Sequence, residues 1–195
     1  MKKSLLAAVA FSLIFSIATL ASSTIQDNPP SGAVSQKTLD RLYKEVRHEL
    51  VMLPFYGVFD NLSYKVDADG TVTLLGQVAR PTLKSDAENV VKRIEGVTRV
   101  VNNIEVLPTS MMDDQIRRAT YRAIYGNDVL NPYQLRAVPP IHIIVKNGHV
   151  ALEGVVARQM DKQIAGVQAN SVPGVFSVEN NLVVEEGDKK EDKKK

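Results

Sequence analysis

The body of this 195-residue chain is one unit that occurs twice in tandem. When each residue n from 64 to 107 is compared with residue n+78, 15 of the 44 positions are identical, without a gap. Unrelated sequences of average composition would agree at about three positions. The shared positions are mainly glycines, valines and a pair of asparagines at constant spacing. A tandem duplication of this kind predicts two small domains of the same fold, each of about 70 residues.

Each copy shows the pattern of a helix, two strands, a second helix and a last strand. Apolar residues first recur every three or four positions, which indicates one buried face of a helix. Alternating apolar residues then flank Asp69-Gly70 and Asn147-Gly148, dipeptides typical of tight hairpins with positive φ at both central residues. A helical crossover precedes the last strand and is long enough for parallel pairing. The predicted class is α+β: tandem α-β-β-α-β sandwiches, each a small three-stranded sheet covered by two helices.

Six glycines that match between the copies are interpreted as structural. They are Gly70, Gly76, Gly96, Gly148, Gly154 and Gly174. The spacing predicts that Gly70 and Gly148 lie in the hairpin turns. It also predicts that Gly96 and Gly174 end the second helices as C-terminal caps.

The first 23 residues have the layout of an export signal. Lys2 and Lys3 precede an uncharged apolar run over residues 5–20, and cleavage is expected after Ala21 or Ser23. A permanent anchor is the alternative, but the run of about 16 residues is shorter than the roughly 20 that span a bilayer. The chain has no cysteine, so we do not expect a lipoprotein. The predicted location is the periplasm, with the signal peptide removed.

The remaining chain divides into four parts. Residues 24–37 are polar and rich in proline, which predicts a flexible lead-in. Residues 38–108 and 109–185 are the two repeated domains. Residues 186–195 are charged and lack apolar side chains, so we expect a disordered tail.

Composition and motifs argue against several functional classes. Without Lys2 and Lys3, 22 basic residues balance 22 acidic ones, which disfavours a nucleic-acid partner. The absence of cysteine and the presence of three histidines leave little material for a metal site or a thiol nucleophile. His142 aligns with Tyr64 on the predicted apolar face, so we interpret it as a core residue. We expect no catalytic residue, no metal, no cofactor and no small-molecule substrate.

The repeated segments resemble the BON domain, a family of bacterial osmotically inducible and nodulation proteins. The resemblance is carried by GTVTLLGQVAR and EGVTRVVNNIEV in copy one, and by GHVALEGVVAR and PGVFSVENNLVV in copy two. It implies the α-β-β-α-β fold already derived. It also implies a non-enzymatic protein of envelope maintenance or stress tolerance that binds phospholipid surfaces or envelope partners. The family has no catalytic motif to transfer.

The second helix of copy two carries an apolar stripe that copy one lacks. Met160, Ile164 and Val167 stand where copy one has Thr82, Asp86 and Asn89. The stripe either packs against copy one or reflects a helix rotated in its seat. Alternatively, it lies in the interfacial layer of a membrane, with Arg158 and Lys162 near anionic headgroups.

Two functions therefore remain open. One is peripheral binding to an anionic phospholipid surface, with Met160, Ile164, Val167, Arg158 and Lys162 as candidate contacts. The other is a protein–protein adaptor in the cell envelope, in which the two copies bracket an envelope partner or self-associate through sheet edges. Arg117, Arg118 and Arg122 on the first helix of copy two form a second basic candidate, although such arginines are usually a solvated face.

Overall fold

The computed structural model describes residues 35–185, so the expected signal peptide, most of the lead-in and the charged tail lie outside it. Copy one contains α1 (Gln36–Val51), β1 (Asn61–Val66), β2 (Thr71–Val78), α2 (Pro81–Val91), β3 (Arg99–Asn102) and β4 (Glu105–Val106). Copy two contains α3 (Met111–Tyr125), a short 3-10 helix (Asn131–Leu135), β5 (Ile141–Lys146), β6 (His149–Val156), α4 (Gln159–Asn170), β7 (Ser177–Asn180) and β8 (Val183–Val184). The predicted α+β class and element order are confirmed.

The first helix of each copy begins at a serine cap. The Oγ of Ser35 accepts a hydrogen bond from the amide of Thr38 at 3.3 Å, and the Oγ of Ser110 accepts one from Asp113 at 3.2 Å. Such a cap satisfies one of the free amides of a helix start. Because α1 begins at Gln36, the last two residues of the expected flexible lead-in are helical.

The second strand lies at the centre of each sheet. β1 pairs antiparallel with β2, and both β3 and β4 pair parallel with β2. The second copy repeats this arrangement with β5 to β8. The predicted third strand is therefore present as two segments with a break between them. The buried faces of the helices and strands form one apolar core in each copy.

The repeated asparagines explain the break in the third strand. The Nδ2 of Asn102 donates to the carbonyl oxygen of Lys84 at 2.9 Å, and its Oδ1 accepts from the amide of Ile104 at 3.2 Å. Asn180 makes the matching bond to the carbonyl oxygen of Lys162 at 2.7 Å. One side chain thus ties the strand to the second helix and satisfies the amide that leaves the ladder.

Gly76 and Gly154 permit a close approach between the two paired strands of each hairpin. Their φ angles are 109° and 116°. A Cβ at Gly76 would lie 2.0 Å from the carbonyl oxygen of Asn61, and one at Gly154 would lie 2.0 Å from that of Pro140. These glycines therefore have a packing role in the hairpins.

The expected capping role of Gly96 and Gly174 is wrong. The second helices end earlier, at Val91 and Asn170. Each glycine occupies the third position of a turn between helix and strand, with φ of 94° and 87°. That position of a type II turn requires positive φ, so these glycines shape the entry to the last strand.

The hairpin turns differ between the copies. Asn147 and Gly148 have φ of 54° and 80°, as expected for a tight two-residue turn. In copy one Gly70 has φ of 81° but Asp69 does not share the positive φ, so that part of the prediction is wrong. The carboxylate of Asp69 instead accepts hydrogen bonds from the amide and hydroxyl of Thr71. Copy one thus uses a longer turn.

Because the turn of copy two is shorter, the pairing of β5 with β6 is shifted by one residue relative to the pairing of β1 with β2. Val66 pairs with Val72, whereas its counterpart Ile144 pairs with Ala151. A slip of one residue turns every side chain of a strand to the other face. The core face of β5 is therefore formed by Ile141, Ile143 and Val145.

The slip places His142 on the face of β5 opposite the core, so the expected burial of its side chain is confirmed but its expected position on the core face is wrong. The ring of His142 stacks on Tyr56 of copy one at 5.6 Å between centroids, and its Nδ1 lies 3.3 Å from the carbonyl oxygen of Gly57. Phe59 packs against Tyr121 at 6.2 Å between ring centroids. A loop of copy one, residues 56–59, thus forms a contact with copy two.

Candidate functional site

The two ends of the stripe on α4 are exposed to solvent. The side chains of Met160 and Val167 are 61% and 66% exposed. Ile164 between them is half-buried and packs against the core. Single exposed apolar residues are ordinary on a protein surface. The stripe is a candidate contact surface because its apolar residues lie along the same helix face.

Both packing explanations of the stripe are wrong. Copy one does not cover it, since Met160 and Val167 remain exposed with copy one present. The helix is not rotated either, because Asp161, Ala165 and Ala169 are buried where copy one buries Leu83, Ala87 and Val91. The two copies instead meet where the 56–59 loop contacts β5 and Tyr121 of α3, and where Lys146 pairs with Glu105 at 2.6 Å.

A polar network replaces an apolar contact beneath the start of α4. Asp161 is 1% exposed and stands where copy one has Leu83. Its carboxylate accepts a hydrogen bond from the hydroxyl of Tyr133 at 2.7 Å and two from Arg158, at 2.8 and 3.2 Å. The hydroxyl of Tyr133 in turn accepts from the amide of Ala157 at 2.8 Å. The buried carboxylate is therefore fully engaged.

The network holds Asp161 in its charged form. Burial alone raises the pKa of this carboxyl, but the hydrogen bonds and charge of Arg158, together with the Tyr133 hydroxyl, outweigh it and lower the pKa. The same pairing raises the pKa of Arg158. A buried carboxylate needs such partners to remain ionised.

The two cations predicted beside the stripe are not equivalent. The side chain of Arg158 is 64% exposed, yet its guanidinium is bonded to Asp161, which reduces its attraction for an external anion. Lys162 is half-buried and forms no ion pair among the described residues. Lys162 is therefore the less compensated of the two charges.

The arginines of α3 separate into two kinds. Arg117, expected to be solvated, is 5% exposed. Its Nη2 donates to the carbonyl oxygen of Val145 at 2.8 Å, and its Nη1 pairs with Asp114. Arg118 and Arg122 are exposed. Arg117 thus supplies a hydrogen-bond donor to a backbone carbonyl of β5, while Arg118 and Arg122 contribute surface charge.

Sequence reasoning missed Tyr133, which anchors the loop after α3 to α4. The repeat contained a signal for this contact, because two positions differ between the copies in a matched way. Copy one has Phe55 and Leu83 where copy two has Tyr133 and Asp161. A hydroxyl and a carboxylate that replace two apolar groups indicate a hydrogen bond between them.

The described residues contain neither a cluster of metal ligands nor a helix that could span a membrane. Within residues 35–185, no three or more His, Asp or Glu side chains are grouped so as to hold a metal ion. No helix in that range combines the length and apolar character needed to cross a membrane.

Two solved structures from Chlamydia trachomatis show low similarity to this chain. CdsD, a structural protein of the type III secretion system, is 12% identical over 74% of this chain and 92% of its own, with a TM-score of 0.30. A structure of the CdsD C-terminal domain is 13% identical over 73% of this chain and 96% of its own, with a TM-score of 0.29. No curated protein matches the chain.

The family comparison agrees with the repeat. The model of the BON domain matches residues 43–108 and again residues 113–186. BON domains are known as non-catalytic binding domains, and the family is linked to membrane and envelope association. The two matches coincide with the two α-β-β-α-β units described above. The chain therefore belongs to the BON domain family and carries two BON domains in tandem.

Proposed function

We propose that this chain is a non-enzymatic protein of envelope maintenance under stress, exported to the periplasm, that binds anionic phospholipid surfaces peripherally. The observation that carries the proposal is the exposure of Met160 and Val167 on α4, at positions where copy one has Thr82 and Asn89. An exposed apolar stripe beside basic side chains suits the boundary between headgroups and acyl chains.

The expected binding is weak and reversible. Each apolar side chain contributes about 2 kcal/mol at most when fully buried, and each nearby cation adds about 1 kcal/mol at an anionic surface. Lys162 is the stronger candidate cation because Arg158 is already paired with Asp161. The contribution of these cations should fall as salt screens them.

Vesicle co-sedimentation tests the proposal. The chain without residues 1–23 is mixed with vesicles of neutral lipid, or of neutral lipid with an anionic phosphatidylglycerol fraction. We expect binding to the anionic vesicles, which Met160→Asp and Val167→Asp weaken. Thr82→Asp and Asn89→Asp, at the matching positions of copy one, are the controls and should bind as the unmodified chain does. Equal loss in both pairs would reject the stripe as the lipid face.

A protein–protein adaptor in the cell envelope is the second candidate. It is favoured by the position of β3 and β7 at the ends of their sheets, where within residues 35–185 no further strand pairs with their outer rims. An extended segment of a partner could add there as a further strand. Crosslinked pull-downs from envelope extracts, with and without lipid extraction, separate this function from lipid binding.

A further inference from the structure

We propose that the lipid-binding face of copy two extends from α4 onto the Leu135 loop, residues 131–136, and that Leu135 is its foremost apolar contact. The inference rests on the proposed function, since it assigns a second part to the same membrane-binding site.

The first observation is the exposure of Leu135. Its side chain is 84% exposed, more than any other large apolar side chain of the described residues. Copy one has Gly57 at the matching position, and the segment around Gly57 is used there for contact with copy two. In copy two this position is left facing outward with a large apolar side chain.

The second observation is that the loop is held firmly. The Nδ2 of Asn131 donates to the carbonyl oxygen of Tyr125 at 3.1 Å, and the Nε2 of Gln134 donates to the hydroxyl of Tyr121 at 2.7 Å. Leu130, just before the loop, is fully buried. Leu135 is thus presented on an ordered support, which lowers the ordering cost of inserting it into another phase.

The third observation joins the loop to α4. The bond from the Tyr133 hydroxyl to Asp161 fixes a residue two positions before Leu135 to the residue that follows Met160. Arg158 donates a hydrogen bond to the same carboxylate at 2.8 Å. Leu135 and Met160 therefore lie two residues and one residue along the chain from side chains of the same hydrogen-bond network.

Charge identifies an anionic surface as the occupant. Residues 131–136 and 158–162 carry three cations, Arg136, Arg158 and Lys162, against the single carboxylate of Asp161. That carboxylate is buried, whereas Arg136 and Arg158 are exposed. Exposed apolar side chains bordered by net positive charge fit the headgroup layer of an anionic bilayer.

Fluorescence provides a direct test because the chain has no tryptophan. Leu135→Trp is mixed with vesicles containing phosphatidylglycerol, and we expect a blue shift and quenching by lipids spin-labelled near the headgroup. Met52→Trp is the matched control, since Met52 is 67% exposed in copy one and should show neither change. Leu135→Asp should weaken vesicle binding about tenfold, and Met52→Asp should leave it unchanged.

The outcomes separate this inference from the proposed function. If the unmodified chain does not bind anionic vesicles, the proposed function fails and the inference fails with it. If it binds, but Leu135→Asp binds equally well and Leu135→Trp shows no shift, the inference alone is overturned. Light scattering gives a third outcome. If Leu135→Asp lowers the molar mass in solution and leaves vesicle binding unchanged, the loop contacts a second copy of the chain. That result would also overturn the inference.

Discussion

The amide nitrogen of Ile143 in β5 donates a hydrogen bond of 2.7 Å to the carbonyl oxygen of Val58 in copy one. Ile143 is fully buried and belongs to the core of copy two, and Val58 packs against that core. An edge strand normally leaves such amides free to pair with another chain. Here the loop of copy one satisfies the edge, so copy two depends on copy one for part of its own packing.

The first prediction follows from this contact. Phe59→Ala removes the ring that packs against Tyr121 and should lower the free energy of unfolding by about 2 kcal/mol, less than a fully buried ring because Phe59 is half-buried. The amide of Ile143 should also exchange faster with deuterium. Met52→Ala, at an exposed position of copy one, is the control. Unchanged exchange at Ile143 would show that the Phe59 ring does not support this contact.

The second prediction concerns pH. Burial lowers the pKa of His142 below its ordinary value of 6.5, and bonding to Gly57 and the charges of Asp60 and Glu153 oppose this only in part. The unfolded chain therefore takes up a proton more readily than the folded one. Stability should fall as the pH drops below about 6.5 and be retained above it.

Asp60 affects a different pH range with the opposite sign. Burial raises its pKa above 3.8, so its contribution to stability increases as the pH falls through the raised value.

The role of His142 is tested by denaturation at a series of pH values. The free energy of unfolding should fall with decreasing pH just below pH 6.5. His142→Phe should remove this dependence, and His48→Gln, on an exposed residue of α1, should retain it. A dependence that survives His142→Phe would place its origin elsewhere.

The third prediction tests the Asp161 network. Asp161→Ala leaves the Tyr133 hydroxyl and the Arg158 guanidinium without their acceptor, and should cost about 1–3 kcal/mol of stability. The pair Asp161→Leu with Tyr133→Phe reproduces the residues of copy one, and part of that loss should be recovered. A double-mutant cycle by urea denaturation measures the coupling, and strictly additive losses would contradict it.

The fourth prediction concerns the glycine in each hairpin that lies against the backbone of the neighbouring strand. Gly76→Ala and Gly154→Ala each place a Cβ 2.0 Å from a carbonyl oxygen at positive φ, and should cost at least about 3 kcal/mol. Gly57→Ala is the control, because its Cβ would meet nothing closer than 4.0 Å. Thermal unfolding gives the comparison. Similar losses at all three glycines would argue that backbone entropy, not the close approach of the carbonyl oxygen, is responsible.

Local patterns in the sequence predicted most of the fold. Helical periodicity and alternation appear in the chain itself, and the repeat doubled each signal, so the order of elements was correct in both copies. Pro81 marked the start of α2, and Asn147-Gly148 marked a tight turn. These features depend on neighbouring residues, and the sequence contains that information directly.

The candidate site was only partly predictable. The stripe of Met160, Ile164 and Val167 could be located by its contrast with copy one. The sequence did not show whether copy one covers it. The anchoring of the loop by Tyr133 and the outward position of Leu135 were missed. Each depends on which surfaces meet in space, and a one-dimensional pattern does not record that.

The repeat and its local patterns were enough to predict two α-β-β-α-β units with glycine at the hairpin turns. Which side chains of β5 face the core became clear only from the folded chain, because one residue fewer in the hairpin turn shifts the register and exchanges the two faces of the strand. That reversal places His142 against copy one. Burial of Arg117 and Asp161 was likewise decided in three dimensions, because a charge can enter the interior only where distant groups supply its hydrogen bonds.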